Sequence, residues 1–286
     1  MPKLKIVITG ASGFIGGHLL EDLSGITNTE IIPLTRREIP NLVRVSSYTD
    51  APNGDVLIHL AEDNNLKNVA NKGLSYEHEA LSTLGALLTK KYKRIIYMSS
   101  STLYGDKSVT PHGTSDDIFA NNPYTRIKSL SEGAVLENPN SMVVRLANVY
   151  GPLMSANNIM SQILKQIPQQ GDLEVGDITP IRDFVWVKDV VEGISTLALM
   201  DLAEIGKRKI YNLGSGVGTS IGDLALLTLE LAGQPERRVV SKNQARIASN
   251  IVLDFSDTTN ACGWTPRTSL RQGVQSLLIS SHRSEN

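Results

Sequence analysis

The chain opens on a short β-branched apolar run, Leu4-Lys5-Ile6-Val7-Ile8, of the kind that makes a buried strand. It runs into the glycine-rich stretch Thr9-Gly10-Ala11-Ser12-Gly13-Phe14-Ile15-Gly16. Gly17-His18-Leu19-Leu20-Glu21-Asp22-Leu23 follows, with its apolar positions at helical spacing. Strand-like and helix-like stretches alternate in this way to about residue 150, which predicts a parallel, doubly wound α/β sheet. Beyond that point the pattern changes to short strands, turns and helices such as Asp223 to Leu231. The expected organisation is a large α/β unit over residues 1–150, to which 183–213 return, with a smaller α/β lobe from 151–182 and 214–286.

Composition agrees with this division. A chain of 286 residues suffices for one such unit with an appended lobe. Its 28 basic and 29 acidic side chains leave a formal net charge of −1, which gives no electrostatic case for nucleic acid or an anionic membrane. The single cysteine, Cys262, excludes an internal disulfide, suits a reducing cytoplasm and reads as a small buried apolar residue. No apolar stretch approaches the roughly 20 residues of a membrane helix. Lys3 and Lys5 ahead of Ile6-Val7-Ile8 are not expected to begin a signal peptide, because the run is short and breaks at Gly10. No metal-ligand set is expected.

Two stretches carry chemistry. Glycines between a first strand and a first helix allow a tight turn and close backbone approach. The helix N-terminus offers free N–H groups and a positive dipole end to a pyrophosphate, so Gly10 to Gly16 reads as a dinucleotide turn. Tyr124 and Lys128 are four apart in Tyr124-Thr125-Arg126-Ile127-Lys128, which puts them on one helix face. A tyrosine hydroxyl ordinarily titrates near pH ~10, and a neighbouring ammonium favours the phenolate, the condition for acid/base work near neutrality.

The GxxGxxG spacing, a serine run and YxxxK together resemble the short-chain dehydrogenase/reductase superfamily. The resemblance sharpens to its extended branch, the NAD(P)-dependent sugar epimerase/dehydratase family, and covers nearly the whole chain. Asp55-Val56-Leu57-Ile58-His59-Leu60-Ala61 looks like that family's fourth strand, and Ile95 to Gly105 like its fifth, with the Ser-x-x-hydrophobic-Tyr-Gly ending. Asn122-Pro123-Tyr124 through Lys128, with Glu132, matches the catalytic helix, and Arg145 to Pro152 the next strand end. Arg182 to Val190, Tyr211 to Gly216 and Cys262-Gly263-Trp264-Thr265-Pro266 match later signatures.

The resemblance implies roles. Ser100 should hydrogen-bond the sugar oxygen being reduced or oxidised; Ser99 and Ser101 are alternatives, and counting back from Tyr104-Gly105 favours Ser100. Tyr124 should donate a proton to that oxygen as hydride arrives, and Lys128 should hold the nicotinamide ribose hydroxyls. Gly10, Ser12, Gly13, Phe14, Ile15, Gly16, Leu60 and Ala61 are expected to line the coenzyme, and Ser101, Asn148, Arg182 and Arg246 to contact a nucleotide-sugar substrate. His59 is expected to be structural, and His112 is a candidate for the border of the site. The family usually carries an Asn early in its fourth helix in support of the lysine. Glu79-Ala80-Leu81-Ser82-Thr83-Leu84 contains none, and that helix is expected to be short.

Coenzyme choice is read at the end of the second strand, Glu30-Ile31-Ile32-Pro33-Leu34-Thr35-Arg36-Arg37. An acidic residue there would take the ribose 2′-OH; this chain has Thr35 followed by Arg36 and Arg37, suited to a 2′-phosphate. NADP(H) is favoured and NAD(H) is possible. Family dehydratases carry Asp-Glu after the catalytic Ser/Thr, where this chain has Ser101 and Thr102, and the epimerase-reductases use a Cys where Thr102 stands. The expected reaction is reduction of a nucleotide-activated 4-keto-6-deoxy sugar. A nucleotide-sugar 4-epimerase with tightly bound NAD is the alternative, and a non-catalytic NADP-binding sensor a third reading. A cytoplasmic homodimer is expected, by analogy with relatives that pair through the Tyr124 helix.

Overall fold

The computed structural model describes residues 3–201, 209–243 and 249–283. In chain order it builds β1 (Leu4–Thr9), α1 (Phe14–Ser24), β2 (Thr29–Thr35), β3 (Val43–Arg44), β4 (Val56–His59), α2 (Leu66–Leu88), β5 (Arg94–Ser100), α3 (Pro123–Leu136) and β6 (Met142–Leu146). There follow β7 (Asn148–Tyr150), α4 (Ile159–Leu164), β8 (Leu173–Val175), β9 (Ile181–Trp186), α5 (Val187–Leu199), β10 (Ile210–Leu213), β11 (Gly218–Ser220) and α6 (Ile221–Leu231). The chain continues through β12 (Val239–Ser241), β13 (Asn250–Ile251), α7 (Ser256–Cys262) and α8 (Leu270–Arg283).

The strand–helix alternation folds as expected into a seven-stranded parallel sheet, in the order β10-β6-β5-β4-β1-β2-β3. Its central strands are buried on both faces, which is why they read as unbroken apolar runs. Strand periodicity divides them between two cores. Ile6, Ile8, Val56, Ile58 and Ile96 meet Leu19, Leu23, Val190 and Ile194 of α1 and α5, while Val7, Leu57 and Ile95 meet Leu87 of α2 on the other face. β1 has β2 on one side and β4 on the other, so the chain reverses direction there, and ligands of such sheets bind beyond the carboxyl ends of the strands at that point.

The smaller lobe is organised on β9. β11 pairs with it antiparallel, and β7 and β13 pair with it parallel, while β8 and β12 make a separate pair. Met160, Ile163, Phe184, Trp186, Leu224, Leu229, Val274 and Leu277 form its core. Of the stretch 183–213 expected to return to the large sheet, α5 packs on α1 and β10 lies beside β6, whereas 183–186 belong to β9. Asp183 fastens the joint, its carboxylate accepting from Ser215 N–H at 2.7 Å, Ser215 Oγ at 2.6 Å, Gly216 N–H at 3.1 Å and Leu253 N–H at 3.2 Å.

The helix after β4 corrects one expectation. α2 is two helical segments, 66–72 and 74–88, joined at the non-helical Gly73 (φ +57°, ψ −141°). The first is capped by Asn65 through the N–H of Asn68, and the second, which carries residues 79–84, is not short. The polar run from Glu62 to Lys72 hides that first segment from a reading by periodicity.

Candidate active site

The glycine turn leaves β1 and enters α1 with no room for side chains. A Cβ on Gly16 would lie 2.5 Å from the Gly10 carbonyl oxygen, and one on Gly10, at φ +72°, would lie 3.0 Å from the Ala61 backbone. Gly13 is the N-cap of α1 and supplies no capping side chain, so the first N–H groups of the helix remain open to an anion. This cradle fits the pyrophosphate of a dinucleotide. Leu60 and Ala61 follow β4 alongside it, and Phe14 and Ile15 begin the helix.

At the end of β2, Thr35 is fully buried. Its hydroxyl bonds Ser12 Oγ at 2.9 Å and accepts the Arg37 N–H at 3.1 Å. Arg36 reaches Glu79 Oε1 at 3.2 Å and lies over the Tyr48 ring, whereas the Arg37 side chain is exposed and makes no ion pair among the described residues.

The other half of the site stands on α3. Asn122 caps this helix through the Thr125 N–H, Thr125 returns a bond to the Asn122 N–H, and Pro123 occupies the first turn. The helix buries both Tyr124 and Lys128, with the ammonium 5.9 Å from the Tyr124 ring centroid. Lys128 Nζ donates to Glu62 Oε2 at 2.8 Å and to the Met98 carbonyl at 2.7 Å. The Tyr97 hydroxyl donates to the same Glu62 oxygen at 2.8 Å, and His59 Nε2 stands 3.8 Å from Glu62 Oε1.

Electrostatics follow from that network. Burial is the largest single influence on Lys128 and disfavours its charge, but the Glu62 carboxylate together with Tyr97 and Tyr124 outweighs it, and the ammonium is held well above its ordinary range. Burial is likewise the largest influence on Glu62 and pushes it upward, but Lys128, His59 and the hydrogen bond from Tyr97 together override it, so the carboxyl sits below its usual range. His59, fully buried with Nδ1 2.7 Å from the Thr9 hydroxyl, is pushed down to about 4 by desolvation. Both members of the pair are therefore charged, and His59 is neutral, near pH 7.

Ser100 ends β5 two residues beyond Met98 and caps the turn 101–104, which packs against α3. Its Oγ lies 2.9 Å from Thr102 Oγ1. Ser101 is buried, and Asn148 at the start of β7 is exposed. Arg182 is occupied within the protein, bonding Ile181 O at 2.7 Å, Ser249 O at 3.0 Å and Ser249 Oγ at 2.8 Å. Arg246 lies outside the described residues. His112 is buried, stacked 4.8 Å from Tyr104 and bonded to Asp116, which makes it a packing residue of this loop. Among the described residues no cluster of three His, Cys, Asp or Glu side chains could hold a metal.

Residues 6–214 match the NAD dependent epimerase/dehydratase family. The chain belongs to that family. As a member it is an NAD(P)-dependent enzyme, and its relatives include both reductases and epimerases. The GDP-6-deoxy-D-mannose reductase of Pseudomonas aeruginosa is 28% identical, over 96% of this chain and 96% of that protein. The UDP-glucose 4-epimerase of Dictyostelium discoideum is 27% identical, over 91% and 90%. Among solved structures, RMD from Pseudomonas aeruginosa, complexed with NADPH, superposes with a TM-score of 0.85 at 24% identity, covering 99% of this chain and 100% of that one.

The fold thus brings Tyr124 and Lys128 together, with Ser100 on the neighbouring strand end. Sequence reasoning missed Glu62 and Tyr97. The available signal was a carboxylate placed directly after the buried run Val56-Leu57-Ile58-His59-Leu60-Ala61, at the sheet edge where such folds bind ligands.

Proposed function

We propose that the chain is an NADPH-dependent reductase of a nucleotide-activated 4-keto-6-deoxy sugar. The observation that carries the coenzyme choice is the end of β2. A buried hydroxyl, Thr35, stands where a carboxylate would receive a ribose 2′-OH, and two guanidinium side chains follow it. When bound, NADPH supplies the hydride. The protein's part is to hold and protonate. Tyr124 gives its phenolic proton to the sugar oxygen, Ser100 bonds that oxygen and fixes the carbonyl, and Lys128 holds the nicotinamide ribose and places a positive charge beside the phenol. The smaller lobe, with Asn148, Ser101 and Arg182, is assigned to the nucleotide-sugar, Arg182 being released from Ser249 or bonding phosphate with its remaining donors. Exposed leucines on α2 and α3, Leu66, Leu74 and Leu130, are assigned to a homodimer contact, to be checked by sedimentation.

A nucleotide-sugar 4-epimerase is the second reading. It is favoured by the engagement of Arg36 with Glu79 and Tyr48, which leaves only Arg37 unpaired for a 2′-phosphate. Denaturing freshly purified protein and identifying the released dinucleotide separates the two. The reductase, which exchanges coenzyme at every turnover, is expected to release little and to bind added NADPH more tightly than NADH. Stoichiometric NAD in the supernatant, with C4 interconversion of an ordinary nucleotide-hexose and no added coenzyme, would overturn the proposal.

A further inference from the structure

Lys128 joins α3 to the segment that follows β4, and it does so through a carboxylate. Glu62 leaves the sheet just after Ala61, turns inward and lies almost completely buried, its side chain 9% exposed against 7% for Lys128. The two charges meet at 2.8 Å. An ammonium has three N–H donors. One goes to Glu62, in the segment after β4, and one to the Met98 carbonyl of β5, so two fixed acceptors set the direction of the third. That third donor has no partner among the described residues, and the ammonium lies between the rings of Tyr97, at 4.8 Å, and Tyr124, at 5.9 Å. On the Glu62 side, Oε2 carries both bonds, from Lys128 and Tyr97, while the buried Oε1 carries none.

We propose that Glu62 is a positioning residue for Lys128, keeping the buried ammonium charged and holding its one uncommitted N–H ready for the nicotinamide ribose before coenzyme arrives. The inference rests on the reading of Lys128 as the lysine that takes the coenzyme ribose. Its physical basis is that a lone ammonium in this pocket would be destabilised by burial, and a single-bonded one would rotate; the Glu62 carboxylate answers both. Tyr97, from β5, fixes the carboxylate in turn. The pairing also explains how the chain holds its lysine without the Asn that the family usually places in the preceding helix. Tyr76 of α2 occupies that neighbourhood and its hydroxyl accepts the Asp63 N–H.

The ionisable groups facing the pair are His59 of β4, Asp63 after it, Tyr76 of α2, Tyr97 of β5 and Tyr124 of α3. His59 is pushed to about 4, Tyr76 up to about 12 and Tyr97 well above its usual range, all mainly by burial. None of those three therefore changes charge between pH 6 and 10. Asp63 is held below its ordinary range, where hydrogen bonds and the charge of Lys72 outweigh its burial, and is likewise constant in that window.

The experiment is a titration with NADPH, followed by nicotinamide fluorescence, from about pH 6 to 10 in wild type, Glu62→Gln and Glu62→Asp, with folding monitored by circular dichroism. A parallel series carrying Tyr124→Phe takes the neighbouring phenol out of the comparison. Glu62→Gln keeps the shape and removes the charge. It is expected to weaken NADPH about ten-fold at pH 7, in line with loss of one charge-assisted contact, and to weaken it further as the pH rises and Lys128 gives up its proton. Wild-type affinity is expected to stay level over the same range, and Glu62→Asp to recover part of the loss. Wild-type affinity with wild-type pH dependence in Glu62→Gln would overturn the inference. Should Glu62→Gln fail to fold, Glu62→Gln/Lys128→Met, with neither charge left alone, is expected to fold again; a double variant no better folded than the single would overturn the inference too. The double variant also separates the two claims. If it binds NADPH as wild type does, Lys128 has no coenzyme role and the underlying reading fails; if it loses binding while Glu62→Gln does not, only the role of Glu62 fails.

Discussion

Helix α3 carries two buried ion pairs one turn apart, and they are built to opposite ends. Glu132 meets Arg145 of β6 through two parallel bonds, Oε1 to Nε at 3.0 Å and Oε2 to Nη2 at 2.7 Å, and the guanidinium lies 4.7 Å from the centroid of the Tyr104 ring. Tyr104 is in turn locked by a 2.8 Å bond to Asn212. Lys128 and Glu62 share a single oxygen and leave one carboxylate oxygen and one ammonium donor uncommitted, beside Tyr124. The first pair is a bidentate clasp covered by an aromatic ring, and it holds α3 to the sheet. The second is open on the side where chemistry is assigned. A buried charge pair is costly in either case, and Arg145 Nη1 too is buried without a hydrogen-bond partner among the described residues. What distinguishes support from site is that Glu132 engages both carboxylate oxygens and Glu62 only one.

The sharpest way to test the open end is to remove its phenol. Tyr124→Phe is expected to leave NADPH affinity nearly intact while turnover falls by about two to four orders of magnitude, as for loss of a general acid. Wild-type turnover in this variant would remove Tyr124 from the mechanism.

The closed pair should answer in stability instead. Arg145→Met leaves Glu132 buried without its partner and is expected to cost about 3–5 kcal/mol, read from urea denaturation, with NADPH affinity of the folded fraction unchanged. A variant of normal stability and impaired coenzyme binding would reverse the assignment of the two pairs.

Acid titration probes the surroundings of the open pair. His59 is held at about 4 against an ordinary 6.5, so the unfolded chain binds a proton that the folded one refuses between those values. Stability is complete above pH 6.5 and declines as the pH falls towards 4, by about 3 kcal/mol for a shift of this size. Glu62, lowered from 4.5, adds loss in the same direction below that value. Chemical denaturation at stepped pH measures both, and His59→Gln should flatten the window from 6.5 to 4 alone. An unchanged slope in that variant would place the acid sensitivity elsewhere.

The smallest effect concerns the distant end of the coenzyme. Replacing Arg36 and Arg37 with Ala is expected to erase most of a preference for NADPH over NADH of about ten-fold or more, with stability altered little, since Arg36 loses only an exposed pair to Glu79. Equal affinities in the native protein would shift the account to the epimerase.

What could be read beforehand follows the range of the interactions. The strand, glycine turn and helix at the N-terminus are contiguous in sequence, and a Cβ at Gly16 would strike the Gly10 carbonyl, so the pattern and its cause lie within a few residues. Tyr124 and Lys128 were legible because one turn of helix relates them. The Lys128–Glu62 contact spans 66 residues and is created only when β4, β5 and α3 assemble, so no local spacing announces it. The first segment of α2 escaped for a related reason. Its polar run looks like a loop until Asn65 caps it, and the left-handed Gly73 joins it to the rest. The two- and three-residue strands of the smaller lobe are too short for any periodicity and are defined by pairing, β7, β11 and β13 with β9 and β8 with β12. His112, a candidate for the border of the site from its chain position, is buried and stacked on Tyr104.

On the proposed reading, the open pair on α3 serves net reduction, with coenzyme released after each turnover. It is tested most directly by supplying NADPH deuterated at the nicotinamide C4 together with nucleotide-linked 4-keto-6-deoxyhexoses, and following label by mass spectrometry. The account predicts one deuterium at sugar C4 for each NADPH oxidised, and none with Tyr124→Phe over the same time. Interconversion of nucleotide-hexoses with no label entering from added coenzyme would contradict it.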